Sequence, residues 1–152
     1  QAAGNQPTNV QLYKLAFPYC IFIAHFRVPT TLLRACLFYR TKPLGVSMES
    51  SDVNGQHLYK AVLTNIYDNG QICLGDMVLT STEPAGKTDE LIAKFWSSEF
   101  TDELTESMDY ADYPALKGYG NWQAATEENP LFVLEDVSWK WAGSAQDYQI
   151  TG

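Results

Sequence analysis

The sequence predicts an α+β domain, an antiparallel β-meander with flanking helices, and three observations carry that expectation. The first eighty or so residues hold short runs of β-branched and aromatic residues, punctuated by Pro, Gly and two Asn-Gly pairs. After Pro84 the apolar residues switch to helical spacing. The 152 residues are 45% hydrophobic and 13% aromatic, enough to build one core without disulfides or metals, so residues 1–152 read as a single domain.

Residues 1–9, "QAAGNQPTN", are polar and expected to be loose. Leu15 to Val28 is dense in β-formers, and Pro18 and Pro29 bound its best part, so a buried strand is expected there. His25 falls inside this run and is expected to be a core or edge histidine. A second strand fits Leu32 to Arg40, with Cys36 as an inert core thiol. "TKPLG" turns the chain, and Leu44 to Met48 is a candidate third strand. "ESSDVNGQ" is a loop with its own Asn54-Gly55 turn. "HLYKAVLTNIY" and "GQICLGDMVL" are extended segments on either side of Asn69-Gly70, which is expected to form a type I′ turn.

Thr88 is placed to cap a helix over about 88–99, with Asp89 and Glu90 in its first turn and Leu91, Ile92, Phe95 and Trp96 on one face. The acidic run beyond it (Glu99, Asp102, Glu103, Glu106, Asp109, Asp112) is expected to be a solvated surface. Asn121 is a candidate cap for a short helix, "WQAATEE", ended by Asn129-Pro130. For "LFVLEDVSWKWAG", periodicity does not decide between a strand and a buried helix.

Charge and cysteine count exclude several functions. A net charge of −8 disfavours nucleic acid and anionic membrane surfaces, both of which attract basic proteins. Three widely spaced cysteines, Cys20, Cys36 and Cys73, do not make a disulfide framework and point to a reducing, cytoplasmic setting. With no CxxC pair and two isolated histidines, His25 and His57, a zinc site is not expected. No apolar run is long enough to cross a bilayer. No phosphate-binding loop or nucleophile elbow is present.

One stretch carries chemistry. In "NIYDNGQICLG", Asn65 stands eight residues before Cys73 with a hairpin signal between them. Ile72 and Leu74 flank Cys73, so a regular strand turns the thiol to the face opposite theirs. Either Cys73 is one more strand thiol, or it is a nucleophile with Asn65 placed to serve it.

The segment resembles the active-site segment of ubiquitin-conjugating enzymes, in which an asparagine stands eight residues before the catalytic cysteine. Here "NG" and "ICL" fall in register with that pattern. "HLYKAVLTNIYDNGQICLGDM", followed by "FWSSEFT", is more similar to a bacterial branch, prokaryotic conjugating-enzyme-like family D, which includes the PRTRC system protein B proteins. "FRVP" and "LFYR" extend the resemblance over residues from about 22 to 101. One departure is clear: Leu63 and Thr64 stand where the eukaryotic family has His-Pro, which implies a differently built loop.

The resemblance implies a ubiquitin-conjugating-enzyme-like fold. It implies that Cys73 accepts a ubiquitin-like protein as a thioester from a ThiF-like activating enzyme and passes it to an amine of a target. A JAB-type peptidase is implied in the same operon. No cofactor is implied, because the activating enzyme uses the ATP. Asn65 either stabilises charge as the amine attacks or holds the loop. Asp109 and Asp112 are candidates, by position, for orienting the amine. Two rival readings are a catalytically silent relative that binds a ubiquitin-like protein or scaffolds the complex, and an unrelated β-rich interaction domain.

Overall fold

A computed structural model describes residues 11–44, 57–98, 100 and 113–144. Four strands form one antiparallel sheet in the order β1-β2-β3-β4: β1 (Tyr19–Arg27), β2 (Thr31–Arg40), β3 (His57–Lys60) and β4 (Trp141–Ser144). Three α-helices accompany it, α1 (Pro84–Ser97), α2 (Tyr119–Glu128) and the single turn α3 (Phe132–Glu135), with a 3-10 turn at Pro114–Leu116. The predicted α+β class and the meander of β1 to β3 are both seen. Among these residues no helix is long and apolar enough to cross a membrane.

The period-2 pattern of β2 explains the layering. Ala35, Leu37 and Tyr39 point into the main core, where they meet Leu91 and Phe95 of α1, Trp122 of α2 and Phe132 and Val133 of α3. Cys36 and Phe38 point to the other face and pack with Leu58, Ile21, Ile23 and Ala142. Cys36 is thus buried as expected. The strand β1 starts at Tyr19, later than the apolar run that announces it, and a register shift between His25 and Phe26 interrupts its pairing with β2. Upstream of it, side chains of α2 occupy the backbone: Ala16 N–H donates to Thr126 Oγ1 (3.0 Å), and Trp122 Nε1 donates to Ala16 O (2.9 Å). Leu15 to Phe17 therefore pack on the core without joining the sheet.

Helix α1 begins four residues before Thr88, so Thr88 is not its cap. Its hydroxyl donates back to Pro84 O at 2.9 Å from the second turn. Pro84 occupies the first turn, where its missing N–H costs nothing, and so starts the helix that it looked to precede. Leu91 and Phe95 are buried, as the periodicity predicts. Trp96 is partly exposed and packs on Phe17 and Phe22, with ring centroids 5.2 and 6.1 Å away. Likewise Asn121 is no cap: α2 starts at Tyr119 after Gly118, and Asn121 Nδ2 donates to Lys117 O. Asn129 ends that helix as expected. The stretch from Leu131 resolves into both alternatives, first the turn α3 and then strand β4, which pairs with β3.

The expected strand at Leu44 to Met48, the Asn54-Gly55 turn, residues 1–9, and the acidic run with Asp109 and Asp112 lie outside the described residues, except for Leu44 and Phe100, neither of which is in a strand or helix.

Candidate active site

After β3 the chain runs through buried Ala61, Val62, Leu63 and Thr64 into a hairpin. Its turn differs from the type I′ turn expected. Gly70 N–H donates to Tyr67 O (2.9 Å) and Tyr67 N–H to Gln71 O (2.8 Å), so Asp68 and Asn69 are the central residues and Gly70 comes after them with φ +86°. This is a three-residue loop with a glycine bulge. Asn69 Oδ1 reinforces it by accepting from Gln71 N–H at 3.0 Å.

The hairpin leans on β2: Leu37 N–H donates to Gly70 O (2.9 Å) and Ile72 N–H to Ala35 O (2.8 Å). A Cβ at Gly70 would lie 2.6 Å from the Phe38 ring, which is itself buried. Gly70→Ala is therefore expected to lower stability by about 2–4 kcal/mol, from overpacking and a strained positive φ together. Urea denaturation checks this, and a loss below ~1 kcal/mol would show that Phe38 gives way easily.

Ile66 and Ile72 face each other across the hairpin and are both buried in the main core. Alternation then sends Asn65, Tyr67, Gln71 and Cys73 to the opposite face. The Cys73 N–H donates to Asn65 O at 2.9 Å, so the two residues singled out in the sequence are cross-strand partners. Cys73 is exposed, Cys36 is buried and Cys20 is partly buried. Burial pushes the Cys20 thiol up to about 12. Native alkylation with peptide mapping should thus label Cys73 more than about tenfold faster than Cys20 or Cys36; faster labelling of either would move the candidate nucleophile elsewhere.

Asn65 Oδ1 is buried, with no hydrogen-bond partner among the described residues. An unsatisfied buried acceptor costs about 1–3 kcal/mol and calls for an explanation. The loop does not depend on that side-chain oxygen. It is held by the main-chain bond to Cys73 and, one residue earlier, by Thr64, whose N–H and hydroxyl both contact Tyr119 Oη, at 3.4 and 3.0 Å. Leu63 and Thr64 are thus both buried, and Thr64 is braced against α2 through Tyr119.

Two tyrosines escaped sequence reasoning. Tyr119 needs the tertiary fold to reach Thr64. Tyr67 donates its hydroxyl to Cys73 Sγ at 3.6 Å, and its position two residues after Asn65 on an alternating strand was the one signal for it.

Downstream, Met77 N–H donates to Leu74 O, and Gly75 at φ +51° closes a turn that ends the expected extended run. Helix α1 then fixes residues 78 to 81. Glu90 accepts from the N–H groups of Thr80 and Ser81 and from the Thr80 hydroxyl, and Lys94 donates to Val78 O. The Thr80 and Ser81 N–H groups first, then the Lys94 ammonium 3.1 Å away and the Thr80 hydroxyl, hold the Glu90 carboxyl down at about 2. Beside the hairpin lies an open concavity of about 910 Å³, lined by Phe38, Lys60, Tyr67, Gln71 and Ala142 among others. Lys60 and Asp68 pair at its rim (2.9 Å). Among the described residues no three His, Cys, Asp or Glu side chains gather as metal ligands.

An α+β domain that presents an exposed cysteine across a hairpin from an asparagine is compatible with the conjugating-enzyme-like pattern that the sequence resembles. The sequence model of prokaryotic E2 family D matches residues 48–126, just over half of the 152-residue chain, and the chain belongs to that family. The matched segment takes in Asn65, Tyr67, Cys73, α1 and most of α2; the upstream "FRVP" and "LFYR" lie outside it. No curated protein and no solved structure matches the chain.

Proposed function

We propose that this protein accepts a ubiquitin-like protein from a ThiF-like activating enzyme as a thioester on Cys73 and transfers it to an amine of a target. The observation that carries the reading is the pairing of exposed Cys73 with Asn65 across the hairpin, within the segment matched by the family. A thiolate attacks an activated acyl group readily, and the resulting thioester remains reactive toward amines, so a cysteine suits a carrier. In discharge, the amine nitrogen bonds to the carbonyl carbon, the C–S bond breaks, and its electron pair returns to Sγ. Charge that builds on the carbonyl oxygen is stabilised by the Asn65 side-chain amide. A JAB-type peptidase fits as the enzyme that processes the ubiquitin-like protein or removes it from targets, and a reducing cytoplasm keeps Cys73 free.

The silent relative is the second reading, favoured by the loss of His-Pro at Leu63 and Thr64. Incubation with the activating enzyme, the ubiquitin-like protein and ATP, and then intact mass measurement, separates the two. The carrier gains the mass of the ubiquitin-like protein less one water. A silent relative binds the ubiquitin-like protein without any covalent gain.

A further inference from the structure

We propose that the Tyr67 hydroxyl is the hydrogen-bond donor that serves the Cys73 sulfur, favouring its thiolate for attack and receiving the charge when the sulfur leaves. Among the described residues the Tyr67 hydroxyl is the side-chain group bonded to Sγ, at 3.6 Å. The contact is a consequence of the hairpin register. With Ile66 and Ile72 turned into the core, Tyr67 and Cys73 are diagonal neighbours on the outer face, within reach of a long aromatic side chain. The backbone of Tyr67 is fixed at both its N–H, donated to Gln71 O, and its carbonyl, which accepts from Gly70 N–H, so the ring is delivered from a rigid base. A neutral phenol suits the task because it donates without neutralising the thiolate by proton transfer. The hydrogen bond to Cys73, then the thiolate charge, then burial raise Tyr67 above the ordinary tyrosine value, which keeps that proton on oxygen.

The role in transfer rests on the function proposed above. In loading, the Cys73 electron pair forms the new C–S bond while the bond to the activating enzyme's cysteine breaks and its pair leaves on that sulfur. In discharge the pair returns to Sγ, the amine proton passes to solvent, and the Tyr67 proton stays on Oη, donated as a hydrogen bond to the sulfur that regains charge. The role in thiol reactivity needs no partner protein.

The test is iodoacetamide alkylation of the native protein at pH 7, with Cys73 monitored by peptide mapping. Tyr67→Phe keeps the ring and removes only the hydroxyl. Removing the hydroxyl removes a hydrogen bond that strengthens as charge gathers on Sγ, a loss partly offset by the greater nucleophilicity of an unbonded sulfur, so Cys73 should be alkylated about threefold more slowly. Gln71→Ala, on the same face, should leave the rate unchanged, and wild type and Tyr67→Phe should react equally in concentrated urea. An equal or faster rate for native Tyr67→Phe overturns the assignment, whatever the thioester assay gives. Slowed alkylation, with no thioester formed by a competent activating enzyme, upholds the Tyr67–Cys73 contact and removes the conjugation reading instead.

Discussion

Asn65→Ala is expected to load normally and to discharge to lysine on the order of a hundredfold more slowly, the loss found when one donor is removed from an oxyanion site. Both steps put charge on the carbonyl oxygen, but a thiolate attacks a thioester far more readily than an amine does, so the amine step is the one whose barrier the lost donor limits. The loop should survive the substitution. Its main-chain bond from Cys73 N–H to Asn65 O does not involve the side chain, and Thr64 remains tied to Tyr119. The variant also removes a buried acceptor that has no partner among the described residues, so the melting temperature should hold or rise. Single-turnover discharge of a preformed thioester to free lysine reads the rate, and thermal unfolding reads the fold. A normal discharge rate with a lower melting temperature would assign Asn65 to loop structure.

The link between Asn65 and Cys73 was legible through their eight-residue spacing and the family resemblance, not through the turn: a type I′ turn at Asn69-Gly70 would have paired Asn65 with Leu74. A three-residue loop between Tyr67 and Gln71 makes residues eight apart cross-strand neighbours, and Ile66 and Ile72 say which way each face points. The turn type was less legible. Asn-Gly supports more than one hairpin, and here the contacts of Gly70 with β2 and Phe38 accompany the bulged form. Strands β1 and β2 declared themselves as runs of β-formers set off by Pro18, Pro29 and the TKPLG turn, and the apolar face of α1 through its period of 3.6. The start of α1 did not, because a proline reads as a break from sequence yet is tolerated in a first turn.

Short elements were the hardest to foresee. Strand β4 has four residues and exists through its pairing with β3, and α3 is one turn set by the burial of Phe132 and Val133. Neither has a period to read. The Tyr119 brace on Thr64 spans 55 residues of chain and arises only from the packing of α2 under the hairpin. Tyr67 was within reach of the sequence, two residues from Asn65 on an alternating strand, but its register had to be known before its hydroxyl could be placed on Sγ.

The central claim, that Cys73 carries the acyl group, is tested most directly by tracking the adduct in three forms of the chain. Wild type, mixed with its activating enzyme, the ubiquitin-like protein and ATP, should form an adduct cleaved by reductant. Cys73→Ser should form one that resists reductant and yields to base, because an alkoxide leaves far less readily than a thiolate. Cys73→Ala should form neither, since only a side chain that can attack a carbonyl can carry the acyl group. Cys73 is exposed, so both substitutions should disturb the fold little. A complete loss of the reductant-sensitive adduct in Cys73→Ala is the predicted result. Persistence of that adduct in Cys73→Ala would make another cysteine the carrier, and its absence from wild type with a competent activating enzyme would contradict the account.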